Sequence, residues 1–341
     1  MANNLKPKYK HSACVWTLGD GSSRFTGVSR SSMVGIDTVK KVKKIIAGKT
    51  GVRGFEFHYP NEINEDNYKK LRKVLNDNGM STAMVTPNNH HHSTHRGLSS
   101  AHKKERKATI ERAKRTIDIA YEMGTTVIVF WQGGEKYDDY TSINFQEAIR
   151  HYADSANKII RYDKEKKEDK CVLAAEAKPN EPGRFMLFQS DSDYLALRPL
   201  LEYPEKFKLN PETGHSELTG LDPVQSLAWV IACDGLAHYH INRQFGTKFD
   251  TDDQVDVDKT RLYLIKELIQ SGFNGWVGHD IQPRHNYSDE DNVRVIKESV
   301  SNAKLLEKLV ASISWKKISD LEQAGRYLDA KIYVDKALRS V

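Results

Sequence analysis

This sequence predicts a single α/β domain folded as a (β/α)8 TIM barrel with a short C-terminal helical extension. Three observations carry that prediction. Eight short apolar runs alternate with eight longer stretches of helical period, glycines stand where the helices should stop, and chemistry-bearing residues recur at the ends of the apolar runs. The runs cover 11–18, 54–59, 81–87, 125–132, 171–178, 208–213, 236–242 and 275–281. The helical stretches cover 37–48, 64–79, 101–124, 143–166, 190–203, 221–234, 258–272 and 288–311.

Each element has a local reason. In the third helical stretch Ile110, Ala113, Ile117 and Ala120 form an apolar stripe at three- and four-residue spacing, and Val293, Ile296, Val300, Ala303 and Leu306 do the same in the last. Gly48, Gly79, Gly124, Gly235 and Gly272 fall at helix ends, each shortly before the next strand. With no linker, no low-complexity tract and no second composition regime, one closed parallel barrel over 1–311 fits better than two open sheets. Residues 312–341 read as the helical extension.

Composition narrows the class of protein. Of 341 residues, 38% are hydrophobic and 29% charged, and the net charge of +6 is the small difference between 52 basic and 46 acidic residues. Both signs are interspersed, so the chain carries no basic stripe of the kind nucleic acid needs. No run is long and apolar enough for a membrane span or a secretory leader, which predicts a cytoplasmic protein. The cysteines, Cys14, Cys171 and Cys233, lie in apolar runs without motif spacing and predict buried, reduced thiols.

A barrel places its chemistry at the carboxyl ends of the strands. There the sequence puts Trp16, His58, Thr86 and Trp131 on the first four runs. Glu176 with Lys178, Glu212 with His215, His240 and Asp280 follow on the last four. Alternation along a strand turns Glu176 and Lys178 to the same face, so a carboxylate and an ammonium share one cavity. Glu176, Glu212, His240 and Asp280 would converge on one point as three carboxylates and an imidazole, a set suited to Mn2+, Co2+ or Mg2+. His215 adds a second imidazole three residues after Glu212, and Asp250 with Asp252 forms a pair that can clamp another cation, with Glu212 between the two. Taken singly, each of these residues also fits a solvated loop or a core histidine; it is their common position that points to metal.

The segments Glu176-Ala-Lys-Pro-Asn-Glu-Pro182, Asn210-Pro-Glu-Thr-Gly-His215 and Asn242–Asp252 resemble the metal-binding segments of xylose isomerases. Trp16-Thr-Leu-Gly, Gly54-Phe-Glu-Phe-His58 and Val129-Phe-Trp131 resemble that family's other active-site segments in the same order, over about residues 11–311. The resemblance implies a two-metal aldose–ketose isomerase, converting D-xylose to D-xylulose or acting on a related aldose. One cation would lie on Glu176, Glu212, His240 and Asp280, and a second on Glu212, His215, Asp250 and Asp252. Lys178 would bind O1 as the carbonyl migrates, and His58 would assist ring opening. Trp16 and Trp131 would wall the pocket, with Thr86 on its lining and Phe25 reaching in from a neighbouring subunit of a homodimer or homotetramer.

The chain departs from the family at identifiable places. His240 stands where xylose isomerases carry an aspartate, which leaves five carboxylates facing the cations and favours Mn2+ or Co2+ over Mg2+. A histidine there also resembles L-rhamnose isomerase and the single-metal ketose 3-epimerases. Tyr59-Pro-Asn-Glu62 replaces the acidic run that orients the family's histidine, so Glu62 would take that part. His90, at the position of a wall phenylalanine and opening the run His90-His-His92, reads first as part of a polar loop and alternatively as a more polar pocket wall, and Glu181 falls out of phase with Glu176 and Lys178, which predicts a supporting role. The competing readings are a ketose 3-epimerase, which needs one metal, a metal-dependent endonuclease of the same fold, and a non-catalytic sugar-binding barrel.

Overall fold

In the computed structural model the described residues are 6–19, 37–90, 92–284 and 286–340. Eight parallel strands form the barrel: β1 (Lys10–Cys14), β2 (Gly54–Tyr59), β3 (Ser81–Pro87), β4 (Val127–Trp131), β5 (Val172–Glu176), β6 (Phe207–Leu209), β7 (Tyr239–His240) and β8 (Trp276–His279). They pair in the order β6, β5, β4, β3, β2, β1, β8, β7. Parallel bridges between Leu209 and Leu236 and between Glu212 and His240 close the ring. All eight predicted strands are present.

The outer layer is α1 (Thr38–Ala47), α2 (Tyr68–Asp77), α3 (Lys103–Met123), α4 (Phe145–Lys166), α5 (Asp191–Leu197), α6 (Thr213–Thr219), α7 (Pro223–Ala232), α8 (Lys259–Gln270) and α9 (Asp289–Ser312). Local sequence sets their ends. Asp37 accepts the Val39 amide at the start of α1, Asp222 caps α7 ahead of Pro223, and Ser288 with Asp291 forms a capping box on α9. Gly124 closes α3 in the left-handed conformation at φ +75°. Two further helices, α10 (Trp315–Gln323) and α11 (Tyr327–Leu338), follow the barrel, and Trp315 and Val334 pack into the core formed by α8 and α9.

Two-residue alternation sorts the strand side chains. On β2, Phe55 and Phe57 face the helices and are fully buried in the main core, while Glu56 and His58 face the barrel axis. Met84, Val129 and Ala174 make a small apolar plug inside the barrel, and the polar residues sit above it. Burying each large apolar side chain of the outer core contributes roughly 1.5–3 kcal/mol, and this shell holds the polar interior in place.

Several strands are shorter than the apolar runs, β1 ending at Cys14 rather than 18 and β7 spanning only Tyr239–His240, and two further expectations need correction. The sixth strand stops at Leu209 rather than running to residue 213. Pro211 has no amide hydrogen, and Glu212 already serves as N-cap of α6, so regular pairing ends and only the single bridge to His240 remains. Cys14 and Cys171 are buried, but Cys233 is exposed: it is the C-cap residue of α7, past the last helical residue Ala232. Among the described residues no helix is long and apolar enough to cross a membrane.

Candidate metal centre and sugar pocket

The carboxyl ends of the strands open into a cavity of about 640 Å³. Its lining includes Trp16, His58, Thr86, Trp131, Glu176, Lys178, His215, His240, Asp252 and Asp280. Glu212 and Asp250 lie just behind, at 2% and 3% exposure. Phe25 lies outside the described residues. The other residues singled out from the sequence therefore meet around one mouth.

Among the described residues three buried groups of potential ligands occur: one is Cys14, Glu56 and His240, and the other two meet at one residue. Ligand atoms of Glu176, Glu212 and His240 lie within 4.8 Å of one another, and so do those of Glu212, His215, Asp250 and Asp252. Glu212 belongs to both. Asp280 joins the first group through its Oδ2, 3.4 Å from His240 Nδ1. His240 Nδ1 is also 3.2 Å from Glu176 and 3.4 Å from Glu212.

Amide side chains lock this arrangement. Asn210 Nδ2 donates to Glu176 Oε2 at 2.6 Å, and its Oδ1 meets His238 Nδ1 at 2.9 Å. Asn242 Nδ2 donates to Glu212 Oε1 at 2.8 Å and to Asp252 Oδ1 at 3.2 Å, while its Oδ1 accepts the Gly214 amide. Trp16 Nε1 donates to Asp280 Oδ1 at 2.7 Å, so this ring both walls the cavity and aims a carboxylate. It stands on a short 3-10 turn, Val15–Leu18, beyond the end of β1.

The electrostatics call for positive charge. Burial, reinforced by the Glu212 carboxylate, pushes the Asp280 carboxyl up to about 7. Burial also disfavours charge on Glu212, but His215 and His240 outweigh it and keep that carboxyl low. His215 Nδ1 is buried and, among the described residues, has no hydrogen-bond partner. Crowded carboxylate oxygens, two imidazoles and an unsatisfied ring nitrogen form a donor set that fits divalent cations of the Mn2+ and Co2+ type.

Lys178 is 1% exposed, with Nζ 2.6 Å from Asp250 Oδ2 and 5.5 Å from the Trp131 ring centre. Gln132 holds the chain just beyond β5: its side chain accepts the Phe188 amide and donates to the carbonyls of Phe188 and Lys178. Glu181 also lines the cavity, 3.6 Å from Lys178 Nζ. A left-handed backbone at φ +58° turns it inward, which strand phase alone does not anticipate.

The opposite wall is an aromatic run. The rings of Trp16 and His58 are 4.3 Å apart, those of His58 and His90 6.0 Å, and those of His90 and Trp131 4.5 Å. Glu62 reaches back to His58, accepting from its backbone amide at 2.9 Å and lying 3.2 Å from Nδ1. Thr86 donates its hydroxyl to the Val129 carbonyl at 2.6 Å, which fixes the floor between β3 and β4.

Sequence reasoning passed over Glu56. It is fully buried beneath the ligands, with Oε2 2.9 Å from His240 Nε2 and Oε1 3.3 Å from His238 Nε2. Ser12 donates to it at 2.5 Å. Burial opposes its ionisation, but His238 and His240 hold its carboxyl well below the usual range. With Glu56 behind His240, the centre regains the negative charge that an aspartate-to-histidine exchange removes. Strand alternation places Glu56 one layer below His58, and that signal was available.

Barrel topology, a polar mouth and two buried ligand groups define a TIM-barrel protein built to present carboxylates and imidazoles to one cavity. This chain belongs to the xylose isomerase-like TIM barrel family, whose model matches residues 46–304. Solved structures share the fold at low identity. A D-psicose 3-epimerase from Clostridium cellulolyticum H10 is 14% identical over 89% of this chain and 99% of its own, with a TM-score of 0.63. The 3-keto-D-glucoside 4-epimerase of E. coli is 13% identical over 88% and 100%, also at 0.63. A xylose isomerase domain protein from Alicyclobacillus acidocaldarius is 13% identical over 88% and 99%, at 0.60.

Proposed function

We propose that this chain is a divalent-metal-dependent aldose–ketose isomerase acting on D-xylose or a related aldose. One observation carries the reading: Glu212 is shared by two buried ligand groups, and Lys178 stands beside the second, 2.6 Å from Asp250. A first cation would be held by Glu176, Glu212, His240 and Asp280, a second by Glu212, His215, Asp250 and Asp252. When bound, such cations polarise substrate oxygens and lower the pKa of water.

The chain's own side chains supply the rest. His58, steadied by Glu62, is placed to move a proton during opening of the sugar ring. Lys178 donates to O1 of the open aldose and stabilises the charge that develops there. A hydride leaves C2 with its electron pair and arrives at C1, while the O2 proton moves to O1. Reactant and product are thus isomers, and no outside oxidant or reductant is needed. Trp16, His90 and Trp131 keep water from that path.

The second reading is a ketose 3-epimerase, which needs only the first ligand group. The name of one similar structure, the D-psicose 3-epimerase, supports that reading. The Glu212, His215, Asp250 and Asp252 group favours the isomerase, because an epimerase has no use for it. Lys178→Met tests the proposal. The variant should keep its metals and lose turnover by about 10²-fold or more; undiminished aldose conversion would contradict it.

A further inference from the structure

Glu56 is fully buried, and the proposed reaction gives it no part. It lies on β2, with only β1 between it and β8 in the barrel order, and is not among the residues lining the cavity. Its oxygens face the donors Ser12 Oγ at 2.5 Å and Cys14 Sγ at 3.6 Å, and the ring nitrogens of His238 at 3.3 Å and His240 at 2.9 Å. Gly278 makes room for it. A Cβ at that position would sit 2.2 Å from Glu56 Oε1 and 2.8 Å from His240 Cδ2, so any side chain would push the pair apart.

The two nitrogens of His240 face different surroundings. Nε2 points down to Glu56, while Nδ1 points up to Glu176, Glu212 and Asp280. Asn210 Nδ2, an amide donor, also lies 3.1 Å from Nδ1, while Nε2 faces the accepting Glu56 carboxylate, so Nε2 carries the hydrogen and Nδ1 is the atom left for a ligand position. Counted along the side chain, Nδ1 of histidine is as many bonds from Cβ as Oδ1 of aspartate. A histidine binding through Nδ1 can therefore replace an aspartate without moving its backbone. What it adds is the far edge of the ring, buried and polar, which needs an acceptor, and it leaves the centre one negative charge short.

We propose that Glu56 is a positioning residue that fixes His240 with Nδ1 toward the metal and returns the missing charge from below, so that Glu56 and His240 form one unit replacing a single aspartate ligand. The proposal rests on the metal-centre reading above. A carboxylate behind a ligating histidine orients the ring and raises its basicity, and losing it weakens metal affinity by about 10–100-fold.

Mn2+ binding to metal-stripped full-length protein, followed by electron paramagnetic resonance, tests it. Wild type should bind, E56Q should bind about 10–100-fold more weakly while its metal-free far-ultraviolet spectrum is kept, and H240D should also weaken through the new carboxylate facing Glu56. The double variant E56Q/H240D should bind at least about 10-fold better than E56Q, a recovery that a merely structural glutamate would not permit. Wild-type affinity in E56Q, or no recovery in a folded double variant, overturns the proposal. The wild type alone gives an independent reading that needs no variant to fold: anomalous scattering from Mn2+-soaked crystals should place manganese on the Nδ1 side of His240, and manganese between Nε2 and Glu56 refutes the assignment. Failure of wild type to bind Mn2+ or Co2+ at all would remove the metal-centre reading itself.

Discussion

Lys178 Nζ and Asp250 Oδ2 stand 2.6 Å apart, at 1% and 0% side-chain exposure. An ion pair this dry is held by its partners, not by water, and removing one member strands the other. Asp250→Asn should therefore destabilise the metal-free protein by about 3–5 kcal/mol as well as weaken the second ligand group. Urea unfolding of the stripped protein measures this, and an unchanged midpoint would show that Lys178 finds another partner.

Glu62 and His58 form a separable unit. His58→Asn should slow conversion of ring-forming aldoses by about 10²-fold, and Glu62→Gln should act in the same direction more weakly. Glyceraldehyde, too short to close a stable ring, should be converted at nearly the same rate by both variants and the wild type. An equal loss on both kinds of substrate would assign His58 to a different step.

The imidazoles of His240 and His215 predict metal preference. At equal concentrations Mn2+ or Co2+ should raise the melting temperature more than Mg2+ does, and at 100 times its dissociation constant a bound ion adds about 2.7 kcal/mol. Equal shifts for Mg2+ and Mn2+ would remove the argument from ligand type.

Glu135 gives the fold a pH dependence away from the metal centre. Burial pushes its carboxyl up to about 8, although it accepts the Leu98 amide at 2.7 Å. An acid whose pKa is raised on folding holds its proton more tightly in the folded state. Its contribution is complete below the unfolded value of 4.5 and declines as pH rises toward about 8. The slope is at most about 1.4 kcal/mol per pH unit. Glu135→Gln should flatten the fall in melting temperature across that window, and a curve parallel to wild type would contradict the assignment.

Most of the barrel was legible because each apolar run and each helical stripe is enforced by burial on the same side as its neighbours. The end of β6 was not, because Pro211 and the capping role of Glu212 interrupt a pattern that hydrophobicity alone continues. At the site, Glu176 and Lys178 were legible from alternation and a short motif. Glu181 was not, since its inward turn depends on a left-handed backbone that strand phase does not encode. Asn210 and Asn242 lay inside the motifs but their bracing role appears only once strands distant in sequence meet. Glu56 sat in the quoted β2 segment, and its partner His240 is 184 residues away along the chain.

Isomerase and epimerase differ in where the migrating hydrogen comes from, which makes one measurement decisive. The Mn2+-loaded protein would be incubated in D2O with a panel of pentoses and hexoses and followed by NMR. The account predicts that at least one aldose becomes its ketose, with the C2 hydrogen recovered at C1 and no deuterium taken up. No conversion of any aldose, or exchange at C3 of a ketose with deuterium entering from solvent, would contradict it.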